Sequence, residues 1–468
     1  MTITDGRIAV IGGGIAGMGA AWAINQHKDV VLYEAADRLG GHAHTVTPDI
    51  DGRPVPVDVG FIVYNQHNYP NLVAFFQHLG VETYESDMSF AVSADQGTFE
   101  YAGSLAGLLA QPGNLIKPRF WSMLADLLRF YRTAPEAIRA SDPGITIGQF
   151  LTQKGYGQAF IHDHLLPMGA AIWSSAPNDM TAYPARRFIS FFENHRLLNL
   201  GTRPVWRSVR GGSQSYVAKV AASLGERVRT AAPVVAVEPM GDKVVVRNRH
   251  GGRDIFDEVV FACHGDQALA LLGNKASATQ KSVLSAFSYQ KNDAYLHRDR
   301  DLMPKRRAVW SSWNYMAPAR SHVADADQRP CSVSYWMNAL QDLTTEHDLF
   351  VTLNPDRPPR DDLTLGAYSF DHPHFDQAAI RAQSRLPTIQ GENRLWFCGS
   401  YCGYGFHEDG LQAGLSVAAA LGCPAPWTER ISPMSPAANC VVPNTLARRQ
   451  ANRQGASRTK RFYGEAAE

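Results

Sequence analysis

Residues 398 to 414, CGSYCGYGFHEDGLQAG, set His407, Glu408 and Asp409 between two glycine-rich turns. An imidazole beside carboxylates can take or give a proton near neutral pH, which makes His407 and Glu408 candidates for an acid or base. Two readings compete. In one, Glu408 or Asp409 caps the helix that follows, near Gly410, and His407 packs in the loop. In the other, His407 or Glu408 removes a proton from a substrate. No metal is expected, because no partner ligands stand at a suitable spacing.

A second stretch, RIAVIGGGIAGMGAAWAINQHKDVVLYEAADRLGGHAHT, states what such a cluster would serve. The apolar run Ile8–Ile11 suits a strand buried on both faces, and Gly12-x-Gly14-x-x-Gly17 then opens a helix rich in small residues. Gly12 permits a tight turn, Gly14 lets backbone approach a pyrophosphate, and Gly17 allows close packing of helix on strand. The helix start at Ile15 and Ala16 directs N–H groups at phosphates. A second strand, Val30–Tyr33, ends at Glu34, where a carboxylate can accept hydrogen bonds from ribose hydroxyls. An acid there favours an unphosphorylated ribose, hence FAD or NAD over NADP.

Arg38-x-Gly40-Gly41-His42-x-x-Thr45 follows at once and resembles the second glycine motif of the flavoprotein superfamily that contains monoamine oxidases, phytoene desaturases and protoporphyrinogen oxidase. LWFCGSYCGYGFHEDGLQAGLSVAAAL resembles its closing flavin motif. The resemblance implies an α/β fold, a Rossmann-like FAD domain of amine-oxidase type interleaved with an α+β substrate domain. It implies FAD contacts from Gly12, Gly14, Ile15, Ala16, Gly17, Glu34, Ala35, Arg38, Gly40, Gly41, His42, Val235, Gly399, Ser400, Gly410 and Leu411. His42 stands where many members carry a second arginine, and Ser400 where many carry an acid or amide. VDVGF, residues 57 to 61, resembles a further element of the nucleotide domain, and the Gly211-Gly212 turn before an amphipathic helix resembles the chain's return to it.

The expected division is 1–75, 205–270 and 390–424 for the FAD domain, 76–204 and 271–389 for the substrate domain, and 425–468 for a basic tail, disordered in part. With 468 residues, 45% apolar, 19% charged and a formal net charge of +1, the chain can form two cores and has no global field for nucleic acid. Six scattered cysteines read as reduced thiols of a cytoplasmic protein. His42, His44, Cys398 and Cys402 lie near flavin motifs, yet noncovalent FAD is the expected state.

Aromatic strings such as RFISFFENHRLL and AVWSSWNYM belong mainly to a core, but their number suits a large apolar substrate. Residues 114–132 combine aromatics with Lys117, Arg119, Arg129 and Arg132; a core helix with a solvated basic face and a helix lying on a membrane both explain them. HDHLLPMGAAIWSS, ENHRLLNLGTRPVW and GYGFHEDGL resemble a bacterial branch encoded beside enzymes like cyclopropane fatty-acid synthases. That resemblance implies desaturation of a methyl-branched, unsaturated acyl chain on the route to furan fatty acids. A lipid methyltransferase is the implied partner, and the inner face of the cell membrane an implied location. His407 or Glu408 would be the base, with Tyr404 or Trp173 as a wall against the flavin ring. The alternatives are a protoporphyrinogen-oxidase-like dehydrogenase, an amine oxidase using Lys291, or a non-catalytic FAD-binding partner of a lipid-modifying enzyme.

Overall fold

A computed structural model describes residues 6–199, 201, 204–317, 331–427 and 440–441. Most of the basic tail, 425–468, lies outside the described residues. The chain forms two compact units, each assembled from separated segments: residues 1–41, 217–288 and 378–468, and residues 42–216 and 289–377.

The first unit holds a five-stranded parallel sheet in the order Val228–Arg229, Asp29–Tyr33, Arg7–Ile11, Glu258–Phe261, Leu395–Phe397. Val10 lies opposite Leu32 on one side and Val260 on the other, and Val260 opposite Trp396. These apolar runs are buried on both faces, as parallel strands require. The first helix, Ile15–Asn25, is buried from Ile15 to Ile24 and packs on the first two strands and on the last helix, His407–Ala420. A three-stranded antiparallel meander, Val234–Met240, Lys243–Asn248 and Arg253–Phe256, completes its strands.

The second unit is built on a seven-stranded mixed sheet running from Phe99–Ala102 to Thr364–His374. A smaller sheet orders Val63–Asn65, Trp206–Val209 and Thr83–Ser86. Its helices enclose an aromatic core in which Phe120, Phe130, Phe150, Phe160, Phe188 and Phe192 are fully buried. Phe188 stacks on Phe192 at 4.5 Å between centroids.

The unit boundaries differ from the expected ones at 75, 204, 270 and 389. VDVGF does not join the nucleotide sheet: Val57–Asp58 pairs with Thr45–Val46, and Asp58 is bonded to Ser213 and Gln341, all in the second unit. Trp206–Val209, read as the start of the return, pairs instead with Val63–Asn65 and Thr83–Ser86. Pairing partners far along the chain decide such boundaries, and local pattern does not report them.

Candidate functional site

The strands Arg7–Ile11 and Asp29–Tyr33 deliver two turns to one end of the parallel sheet. Gly12 adopts φ +109°, and a Cβ there would stand 2.8 Å from the Ala262 carbonyl oxygen, so the turn closes only with glycine. A Cβ on Gly17 would overlap the Gly12 oxygen at 1.8 Å. Gly14 caps the first helix with extended backbone; no side chain bonds to the first turn, and nothing lies within 4 Å of where its Cβ would be. This is a bare helix N-terminus at the strand ends, the arrangement that receives a pyrophosphate.

Glu34 sits half-buried at the tip of its strand. Its Oε2 accepts from the Gly13 N–H at 2.6 Å and its Oε1 from the Ala36 N–H at 2.8 Å. A carboxylate has about four acceptor positions, so two main-chain bonds fix it and leave capacity for ribose hydroxyls. The second glycine motif clasps the first: the Gly40 N–H donates to the Gly13 oxygen at 2.9 Å, and a Cβ on Gly41 would meet the Gly14 Cα at 3.1 Å. Arg38 folds over its own loop, donating to the Leu39 and Gly41 carbonyls at 3.4 and 3.1 Å. Burial lowers its guanidinium from the usual arginine value, with Glu34 and Asp37 pulling it back. Arg38 therefore braces the glycine loop, a role the expected phosphate contact did not include.

Ala35 is exposed beside Glu34. Ala232 donates its N–H to the Glu34 oxygen at 2.9 Å, and three residues on, Val235 falls at a bulge in the pairing of Val234–Met240 with Lys243–Asn248. Its exposed position outside the ladder register suits a main-chain contact to a nucleotide base.

The closing motif arrives from Leu395–Phe397. Gly399 is required because the Tyr401 ring lies 2.6 Å from where a Cβ would stand. Ser400 opens the short turn Ser400–Cys402, and its hydroxyl-bearing side chain is half-buried. The last helix begins at His407 and not near Gly410: Phe406 is its cap residue, and the Asp409 carboxylate accepts the Phe406 N–H at 2.8 Å. Gly410 is there for a different reason, since a Cβ would press on Ile15 Cγ2 at 2.9 Å. Leu411 is fully buried and covers Gly19, and a Cβ on Gly414 would come within 2.2 Å of the Ala16 oxygen. The first helix and the last thus meet at Gly19, Gly410 and Gly414, where an added side chain would collide with the other helix.

Capping is settled in favour of Asp409. His407 is not in the loop but in the first helical turn, buried with Glu408 and Asp409 at the same helix end that carries the flavin motif. Both remain in reach of the acid or base role by type and place. Tyr404 is half-buried between Gly403 and Gly405. Trp173 belongs to the second unit, where Tyr183 and Phe191 each stand 4.8 Å from its ring.

Two glutamines escaped the sequence reading. Buried Gln383 donates from Nε2 to the Tyr401 and Gly403 oxygens at 2.8 and 2.6 Å, holding the glycine turn. Gln390 exchanges both hydrogen bonds with the main chain of Phe397, at 2.7 and 2.9 Å, and so closes the edge of the parallel sheet. Neither sits in a motif, and an isolated glutamine carries no local signal of burial.

His42 opens the second unit. Its ring faces Phe370 at 5.3 Å and His372 at 5.2 Å, and His44 meets Tyr368 at 5.2 Å. Hydrogen-bond direction fixes the form of His372. The Asp293 N–H donates to Asn354 Oδ1 at 2.9 Å, so Asn354 Nδ2 donates to Asn292 Oδ1 at 2.7 Å. Asn292 Nδ2 then donates to His372 Nδ1 at 3.1 Å, which leaves the ring proton on Nε2. His372 is a neutral imidazole with a donor on its far side. Lys291, the lysine of the amine-oxidase reading, is 69% exposed on the outer face of Ser288–His297, 3.8 Å from Asp293, while its neighbour Asn292 turns inward.

No site residue supplies a thiolate. Burial pushes the Cys263 thiol up to about 12 and holds Cys398 and Cys402 well above the usual range. The donor set of the first unit is main-chain N–H groups, a fixed carboxylate and a helix end. It fits FAD.

Comparison with known proteins agrees with this geometry. The flavin containing amine oxidoreductase family matches residues 15–287, more than half of the chain. Amine oxidase [flavin-containing] A of Sus scrofa is 24% identical over 254 residues, 51% of this chain and 46% of that protein. The chain thus spans less than half the length of that relative. The FAD-dependent oxidoreductase dbaF of Emericella nidulans is 42% identical over 86 residues, 18% of this chain and 17% of that one. Among solved structures, a CLA-producing fatty acid isomerase from P. acnes has TM-score 0.60 at 14% identity, covering 88% of this chain and 98% of that one. Cyclohexylamine oxidase from Brevibacterium oxydans has TM-score 0.64 at 14% identity, covering 89% and 99%. At such identities the likeness is one of fold. With the family match and the cradle together, the chain belongs to the flavin-containing amine oxidoreductase family, and its cofactor is FAD.

Proposed function

We propose that this FAD-dependent oxidoreductase desaturates a methyl-branched, unsaturated fatty acyl chain. FAD, when bound, supplies a two-electron acceptor for hydride. The chain's own residues must hold the dinucleotide, through Gly12–Gly17, Glu34, Gly40 and Gly41, and take the second hydrogen as a proton. The observation that carries the reading is the burial of His407 and Glu408 in the first turn of the helix that completes the flavin motif. One of the two accepts a proton from the carbon next to the one losing hydride, so that the C–H electrons left behind form the new double bond. A double bond or methyl branch at the hydride-donating carbon stabilises the positive charge that develops there, and that charge in turn acidifies the neighbouring C–H.

The acyl class draws on the resemblance of HDHLLPMGAAIWSS and GYGFHEDGL to the acyl-lipid branch, and on a fold shared with a fatty acid isomerase. Amine oxidation is the weaker reading because Lys291 is a surface residue. Anaerobic mixing of the FAD-loaded protein with a methylated, unsaturated phospholipid should bleach the flavin's visible absorbance, and benzylamine should not. The reverse pattern would sink the acyl reading.

A further inference from the structure

Of the ten large apolar side chains exposed among the described residues, six lie within residues 105–128: Leu105, Leu109, Leu115, Ile116, Trp121 and Leu128. Leu105 is 76% exposed, Ile116 86% and Trp121 54%. They occupy the short helix Leu105–Leu109, the connection after it and the first turns of Pro118–Arg139. That long helix has its own core face, with Phe120, Met123, Phe130 and Tyr131 buried. Its opposite face is therefore not simply the solvated basic face expected of a core helix, since Trp121 and Leu128 stand on it. Exposed apolar side chains scattered singly need no explanation; a concentration in one segment does.

We infer that this segment of the second unit is a docking surface for an anionic phospholipid bilayer. Trp121 already donates its Nε1–H to the Leu115 oxygen at 2.8 Å, so the indole can enter the acyl boundary without stranding a donor. That bond also joins Leu115, Ile116 and Trp121 into one preformed projection. The charges are complementary to anionic headgroups. Arg119 is held by buried Asp163 at 2.6 Å and Arg129 by Asp126 at 2.8 Å. Lys117 donates only to neutral oxygens, those of Thr98 and Asn114, and among the described residues neither it nor exposed Arg132 pairs with an acid. An apolar projection flanked by two uncompensated cations is what an interfacial segment presents to lipid. The inference does not depend on which acyl reaction the enzyme performs.

Flotation of the FAD-loaded full chain with vesicles tests it. The protein should rise with phosphatidylglycerol-containing vesicles. Lys117→Gln with Arg132→Gln should weaken that binding roughly tenfold or more, and Ile116→Asp with Trp121→Ser should abolish it. Both variants should keep the parent's flavin spectrum, since none of these side chains lies in the nucleotide-binding unit; Arg132→Gln alone, a change at an exposed side chain, should also keep the parent's urea midpoint. A wild-type protein that stays in the buffer, or an Ile116→Asp, Trp121→Ser variant that floats as well as the parent, overturns the inference. So does sedimentation velocity that shows a dimer lost in that variant, because a second copy would then cover the patch. Turnover of detergent-dispersed acyl substrate, measured alongside, separates failure of docking from failure of the proposed chemistry.

Discussion

Asp58 shows how far a single residue's meaning can lie from its neighbours in sequence. Its carboxylate is fully buried and accepts from the Thr45 hydroxyl at 2.6 Å, the Ser213 N–H at 2.9 Å and hydroxyl at 2.7 Å, and Gln341 Nε2 at 2.9 Å. Burial pushes its pKa up to about 6, against those bonds, which pull it down. The folded state thus binds the proton more tightly than the unfolded chain. Stability relative to Asp58→Asn should be greatest below about pH 4 and fall as pH rises to about 6, by up to about 3 kcal/mol. Urea midpoints of both proteins across that range measure it, and a difference that is flat or grows with pH would contradict the assignment. Among candidate catalytic residues, Glu408→Gln should retain FAD and lower the rate of flavin reduction by about 100-fold or more if Glu408 is the base; a loss of FAD instead would make it structural. The association of His407, Glu408 and Asp409 with the closing glycine motif was legible in the sequence, but their place in the first turn of the helix was not. Gln383 and Asp58 were not legible, since the Gly403, Ser213 and Gln341 that give them meaning are 20, 155 and 283 positions away.

At the level of elements, the strand–turn–helix start was readable because its physics is local: a continuous apolar run, a glycine spacing and an acid at the next strand's end. The start of the last helix was misread for an equally physical reason. Gly410 looks like the end of a loop, but it is glycine because Ile15 crosses it, while the helix starts three residues earlier, at His407, with the Phe406 N–H held by Asp409. The first and last helices interlock through Gly19, Gly410 and Gly414, and at Gly414 the nearest atom is the main-chain oxygen of Ala16, which cannot rotate away. Gly414→Val should therefore cost at least about 2 kcal/mol of stability, as overpacking of a tight contact does, and lower FAD occupancy with it. Gly113→Ala, where a Cβ meets nothing within 4 Å, should change neither. Urea denaturation with flavin absorbance as a second probe would show whether both losses occur together.

At the scale of the whole molecule, one of the two units is a nucleotide-binding unit drawn from three separated segments, and each segment brings part of the cradle: residues 12–41, the Ala232–Val235 approach, and residues 399–411. A ligand that binds only the assembled unit stabilises all three segments at once, by about 2.7 kcal/mol at a hundredfold excess over its dissociation constant. Because Cys398 and Cys402 are buried with thiols held protonated, that ligand should leave entirely on acid precipitation, with no flavin retained in the pellet. Removing FAD under milder conditions should then raise amide hydrogen exchange together in residues 12–17, 34–41 and 399–411, since the loops of each segment pack against those of another. The parallel sheet itself should respond less, because Val10, Val260 and Trp396 are buried by neighbouring strands irrespective of the cofactor. Exchange by mass spectrometry on holo and apo protein distinguishes this from a cradle read off the first segment alone. If protection by FAD were confined to residues 12–41 and absent from 399–411, the closing motif would be packing and not part of the flavin site, and His407 and Glu408 would lose their claim on its chemistry.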